Sequence, residues 1–249
     1  MIQIKSAHEI ELMREAGRIA AQCMLEIRAH IKPGVTTMQL DIIAAEFIAS
    51  KGAVPSFKDY RGFPGNICCS VNEEVVHGIP SKSKMLQDGD IISIDMGAYY
   101  KGYHSDMART FPVGTISDQA EELIRITKEC FYAGMEQARV GNRLNDISSN
   151  IEKAAIGNGY SVVRELVGHG IGKKLHEPPD IPNFSFRGAN PRLRAGMVLA
   201  IEPMVNTGGG DVVFESDGWL VRTRDRKLSA HYENTVHVTE EGPRILTMP

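Results

Sequence analysis

A displacement of 107 positions carries one half of this 249-residue chain onto the other. A chain that repeats itself in this way is constrained to fold as two like units that share an axis. The shift relates Gly34 to Gly141, Gly52 to Gly159, Gly89 to Gly196 and Cys23 to Cys130. It carries the apolar helix positions Leu40, Ala44, Phe47 and Ile48 onto Ile147, Ile151, Ala154 and Ala155. It also carries Gly89-Asp90-Ile91-Ile92-Ser93-Ile94-Asp95 onto Gly196-Met197-Val198-Leu199-Ala200-Ile201-Glu202. Each of these segments reads as a turn glycine, an apolar strand and a terminal carboxylate. A pseudo-twofold domain would therefore bring one acid from each half to a central site. The halves run roughly over 5–112 and 113–240, within a single domain spanning 1–249.

Local signals divide each half into helices and strands. Ser6 and Glu9 form a capping box ahead of a helix whose apolar stripe is Ile10, Met13, Gly17, Ala20, Met24 and Ile27. That helix stops before Lys32-Pro33-Gly34. A second helix opens at Thr36-Thr37-Met38-Gln39, with Gly52 as its C′ residue. Ile67 to Val71 reads as a short strand, Ile91 to Asp95 as a buried strand, and His104 to Thr110 as its antiparallel return. In the second half, helices are expected from Ser117 to about Arg139 and from Leu144 to Ile156. Strands are expected over Val198 to Met204 and His231 to Val238, and a hairpin turning at Asp217-Gly218.

Composition narrows the class. The charge balance is near neutral, 28 basic against 31 acidic residues, and no Lys/Arg run marks a nucleic-acid footprint. The N-terminus lacks the apolar core of a signal peptide, and no apolar run spans a bilayer. A cytoplasmic protein follows. The four cysteines, Cys23, Cys68, Cys69 and Cys130, make no CxxC pair, which argues against structural zinc and leaves free thiols as the expectation. On a strand, Cys68 and Cys69 point to opposite faces, so one can face a pocket and the other the core.

The acids carry the chemistry. Asp95 and Glu202 end apolar runs, where a carboxylate is costly unless it is paired or bound to a metal. Asp106 follows Asp95 across a turn centred near residues 100–101, which sets the two directly opposite and repelling unless a cation lies between them. His169 stands in Gly168-His169-Gly170-Ile171-Gly172, a loop stripped of bulk, and His176 in His176-Glu177-Pro178-Pro179. His77 sits in Val75-Val76-His77-Gly78-Ile79-Pro80, an apolar run followed by a turn. Glu233 lies in the strand-like Tyr232-Glu233-Asn234-Thr235.

In order and spacing, these motifs together resemble type I methionine aminopeptidase over nearly the whole chain, in its short bacterial form. The resemblance implies an α+β "pita-bread" fold, with two pseudo-twofold-related α/β halves around a central antiparallel sheet. It implies two divalent metal ions, of Mn, Fe, Co or Zn. Asp95 would chelate one, Asp106 and Glu233 would bridge both, and His169 and Glu202 would complete the other. Glu202 would shuttle the proton, His176 would stabilise the oxyanion, and His77 would hold the backbone after the cut bond. All seven positions carry the family's residue type.

The methionine pocket would include Tyr60, Phe63, Cys68 and Trp219. Phe57 and Leu175 depart from the family's common cysteine and aromatic at the corresponding places. The implied activity is removal of the initiator methionine from nascent chains when the second residue is small, so bulky Ile2 predicts that Met1 is retained. The implied partner is a polypeptide N-terminus, with ribosome association left open, no nucleic-acid or membrane binding, and a monomeric state. The rival readings are a proline-specific peptidase of the same fold and a metal-free binding module. The first usually carries an extra N-terminal domain, and the second usually loses several ligands.

Overall fold

Capping chemistry starts the helices where the sequence places them. In the computed structural model, which describes residues 2–249, helix α1 (Ala7–His30) begins with Ser6 and Glu9 exchanging side-chain and backbone hydrogen bonds. Thr36 and Gln39 do the same for α2 (Thr37–Ser50). In the second half, Ser117 accepts from the Ala120 N–H at the start of α3 (Asp118–Met135), and α4 spans Leu144–Gly157. Helix α3 ends four residues before the expected Arg139. Gln137 and Ala138 donate to Gly134 and Met135, tightening the last turn into the three-residue bonding that closes many helices. Met1, expected to be retained ahead of Ile2, lies outside the described residues. Among the described residues no helix is long and apolar enough to cross a membrane.

Eight strands form the central sheet: β1 (Cys68–Val71), β2 (Ile91–Met96), β3 (Met107–Pro112), β4 (Val167–Gly170), β5 (Glu177–Pro182), β6 (Val198–Ile201), β7 (Glu233–Thr239) and β8 (Gly242–Ile245). Their order is β5-β4-β6-β7-β3-β2-β1, all antiparallel, with β8 also on β7. The halves join where β7 meets β3, Glu233 facing Ala108 and Asn234 facing Met107. Helices α1 and α2 pack on one flank over Ile92, Ile94 and Met96, and α3 and α4 on the other over Leu199, Ile201 and Val236. Each half also has a small side sheet. Val54–Pro55, Ala98–Tyr100 and Tyr103–His104 form one, and Ser161–Val162, Met204–Asn206 and Ser229–His231 form the other.

The displacement of 107 survives at the level of single hydrogen bonds. Gly34 donates to Leu86 as Gly141 donates to Leu193. Gly89 donates to Val113 and Gly196 to Val238, a matching bond whose acceptors stand 125 apart because the second half is longer between its strands. Gly89 and Gly196 have φ of 96° and 85°, a left-handed turn that a side chain would strain.

Four expectations need correction. The hairpin after β2 turns at Lys101-Gly102, both with positive φ, a two-residue turn of the kind hairpins favour. The turn sits later than expected, so Asp95 faces Ala108 and not Asp106. Because the slip is two residues, Asp106 stays on the same face, diagonal to Asp95. The strand expected over Val198 to Met204 breaks after Ile201, at Glu202-Pro203, and resumes in the side sheet; proline has no N–H to give the ladder. The strand expected from His231 breaks at Tyr232 in the same way, and Tyr232 N–H turns to Pro203 O. The glycine-rich segment around His169 is strand β4 and not a loop. A Cβ at Gly168 would stand 2.4 Å from Ala200 O, and one at Gly170 would stand 2.3 Å from Pro178 O. The glycines therefore let neighbouring strands close in on the imidazole.

Candidate metal centre

Strand alternation aims Asp95 away from the helices. Ile92, Ile94 and Met96 enter the core beneath α1 and α2, so Ser93 and Asp95 face the other side. Asp106 lies just ahead of β3, and its backbone is clasped by Thr235, whose Oγ1 accepts from Asp106 N–H and donates to Asp106 O, both at 2.9 Å. Glu202 follows β6 and Glu233 opens β7. On β4, His169 Nδ1–H donates to Gly170 O at 2.8 Å. That bond leaves Nε2 with its lone pair facing Asp106 Oδ2 at 3.8 Å and Glu202 Oε1 at 3.6 Å.

Without a cation this cluster would be poorly matched to its surroundings. Burial pushes the Asp95 carboxyl up to about 7. Burial first, then the neighbouring acids, raise Asp106, Glu202 and Glu233 well above the ordinary carboxylate range. Burial lowers His169 to about 4, keeping it a neutral ligand. Asp95 Oδ1, Asp106 Oδ1 and Glu233 Oε1 are buried without a hydrogen-bond partner. Orphaned oxygens beside a neutral imidazole form a donor set for hard or borderline divalent ions. Two ligand atoms each about 2.0–2.2 Å from one ion lie roughly 3–4.4 Å apart, and the His169 separations fall in that range. The residues present therefore fit a divalent metal.

A cavity of about 130 Å³ opens above the acids. Tyr60, Phe63, Cys68, His77, His176 and Trp219 all line it, together with Phe57 and Leu175. Trp219 packs edge-on to Phe63 at 5.1 Å and to His77 at 6.4 Å. Cys68 faces this cavity and Cys69 the core beneath α1 and α2; burial pushes both thiols well above their ordinary range, which leaves them unreactive. His77 has φ of 60°, a left-handed conformation uncommon outside glycine, which aims its ring into the cavity from the turn after Val76. Burial holds its pKa below the ordinary value.

His176 belongs to an exposed stretch, but its ring lies 5.2 Å from Tyr60 and 4.0 Å from His169. Desolvation, then the charges of His169, Arg61 and His77, holds its pKa down. Tyr60 Oη is 2.8 Å from its Nδ1. The next residue, Glu177, is locked by a buried pair with Lys5 at 2.7 Å. The structure thus brings all eleven sequence-predicted site residues to one centre. Sequence reasoning missed Arg61, whose φ of 51° brings it to the rim, and His231, buried beside Glu202 and Glu233. No signal in the sequence marked His231, because the strand breaks at Tyr232 and the spacing of two from Glu233 does not fix its face.

The profile of metallopeptidase family M24 matches residues 11–240. A methionine aminopeptidase of Clostridium perfringens is 56% identical over 248 residues, covering 100% of this chain and 99% of its own. The crystal structure of methionine aminopeptidase from Thermotoga maritima superposes with a TM-score of 0.98 at 42% identity, covering 100% of both chains. The Xaa-Pro dipeptidase from Bacillus anthracis is more distant, with a TM-score of 0.78 at 27% identity; the likeness covers 99% of this chain but 62% of that one.

Proposed function

The chain belongs to metallopeptidase family M24 and has its pita-bread fold, and from that premise we propose that it removes the N-terminal methionine from newly made polypeptides. The observation that carries this reading is a set of three buried carboxyls, the partly buried Glu202 and His169 Nε2 beneath a cavity whose lining mixes polar and apolar side chains. A divalent metal belongs to this chemistry. We take it to be a pair of ions, of Mn, Fe, Co or Zn, held by Asp95, Asp106, His169, Glu202 and Glu233. When bound, such ions polarise a carbonyl and lower the pKa of water.

The protein's own groups do the rest. Glu202, whose side chain is 14% exposed, takes the proton of the attacking water at its carboxylate and delivers it to the leaving amine. With Tyr60 O–H donating to His176 Nδ1, the His176 proton sits on Nε2 and can be given to the developing oxyanion. His77 holds the backbone beyond the cut bond. Tyr60, Phe63, Cys68 and Trp219 receive the methionine side chain, with Phe57 and Leu175 narrowing the space. We place the protein in the cytoplasm as a monomer. Residues 1–249 form one catalytic domain whose halves are roughly 5–112 and 113–240.

Metal-reconstituted protein should cleave Met-Ala-Ser, cleave a peptide with bulky isoleucine in second position at least about tenfold more slowly, and leave Xaa-Pro dipeptides intact. Faster hydrolysis of the Xaa-Pro dipeptide would overturn the assignment.

A further inference from the structure

The pseudo-twofold sets His231 in the second half where Asp106 stands in the first. Two hydrogen-bond clasps fix the equivalence. Thr235 Oγ1 bonds both backbone groups of Asp106. Thr110 Oγ1 bonds both backbone groups of His231, accepting from its N–H at 2.9 Å and donating to its O at 3.0 Å. The sheet register agrees: Ser93 faces Thr110, and Ala200, displaced from Ser93 by 107, faces Thr235. Asp106 and His231 each precede the threonine of their own half by four residues. In the same frame Asp95 matches Glu202.

His231 is 1% exposed, and neither of its ring nitrogens has a hydrogen-bond partner. A buried imidazole with two orphaned nitrogens needs an explanation. Its Nε2 lies 3.7 Å from Glu202 Oε2 and 3.9 Å from Glu233 Oε2. Both separations are too long for hydrogen bonds. They match those of His169 Nε2 from Asp106 and Glu202, 3.8 and 3.6 Å. Glu202 thus shows one oxygen to each imidazole.

We propose that His231 is a further ligand of the metal centre, its Nε2 binding a divalent cation together with Glu202 Oε2 and Glu233 Oε2. The inference rests on reading the buried carboxyls as a metal site. It also predicts a preference. A second imidazole on the Glu202 side favours borderline ions such as Co²⁺ over Mn²⁺, which suits oxygen donors.

The test is titration of Co²⁺ and of Mn²⁺ into metal-stripped full-length protein, following stoichiometry, affinity and the visible absorption of bound Co²⁺. The proteins are wild type, His231→Gln and Asp106→Asn. Glutamine fills a similar space and can hydrogen-bond, but it is a poor ligand for Co²⁺. His231→Gln should weaken one Co²⁺ site at least about tenfold, alter its absorption and shift Mn²⁺ affinity less. Unchanged Co²⁺ affinity and spectrum in His231→Gln, with Asp106→Asn impaired, would overturn this inference alone. A wild-type protein that binds neither ion would overturn the metal centre itself. A check that needs no variant is pulsed electron-spin resonance of the Mn²⁺-loaded wild type. Couplings from two distinct imidazole nitrogens support the assignment, and couplings from one refute it.

Discussion

The two halves build the same frame and place different chemistry on it. Glycine turns, threonine clasps and the strand pairs around the centre recur in both. The side chains that face the centre do not. The first half contributes Asp95 and Asp106, both carboxylates. The second contributes Glu202, Glu233, His169 and His231. Where the second half has Glu233, the first has Ala108 across the axis, and where it has His169, the register gives Ser70. The difference teaches that the backbone frame alone does not make the donor set. The mixture of nitrogen and oxygen donors comes entirely from one side.

The harshest test of this comparison removes one of the first half's two carboxylates. Asp106→Ala leaves that half with Asp95 alone at the centre, since Ala108 and Ser70 carry no carboxylate. Turnover of Met-Ala-Ser should fall to background, and metal content measured on the folded protein should drop. Normal metal content with full activity would mean that Asp106 holds no ion and that Asp95 is the first half's whole contribution.

A milder test asks whether the frame is truly equal on both sides. Thr110→Val and Thr235→Val each strip a buried hydroxyl from a backbone N–H and C=O. Each should cost about 1–3 kcal/mol, because the freed groups stay buried and unpaired. For a chain of this size each kcal/mol shifts the midpoint roughly 2–4 °C in a thermal melt. The two losses should agree to within about 1 kcal/mol. A large loss at one threonine and none at the other would show that only one clasp matters, which breaks the mechanical equivalence.

What the sequence disclosed follows the same division. The frame was legible because glycines at positive φ, capping residues and apolar stripes leave marks at fixed spacing. The pairing of Asp95 with Glu202 came from that repeat. The register of Asp95 against Asp106 was misread because it depends on which two residues turn the hairpin, and Tyr99 to Gly102 admits more than one choice. His169 was taken for a loop residue because strand glycines look like loop glycines until the neighbouring strands are in view. His231 carried no warning, since its burial and its orphaned nitrogens arise only when the chain breaks at Tyr232 and folds back beside Glu202. The roles of His77 and His176 came from the family resemblance and not from any pattern in the residues themselves.

The smallest expected effect lies farthest from the centre, at the helix starts. Helix α1 opens with a reciprocal box between Ser6 and Glu9, whereas α3 opens with Ser117 alone, its third residue being Ala120. The Glu9 carboxylate accepts from Ser6 N–H, from Tyr103 O–H at 2.7 Å and from the Ser6 hydroxyl, and these bonds lower its pKa to about 2. A group whose pKa is lowered by folding stabilises above its unfolded value, near 4.5, and loses that contribution as pH falls toward 2. Glu9→Gln keeps an oxygen for the cap and removes the charge, so at neutral pH it should cost only about 0.3–1 kcal/mol. The gap between wild type and variant, read from melts at steps between pH 6 and pH 3, should narrow as pH falls. A gap that stays constant would assign the whole effect to cap geometry. The charge at Glu9 would then not distinguish the start of α1 from that of α3.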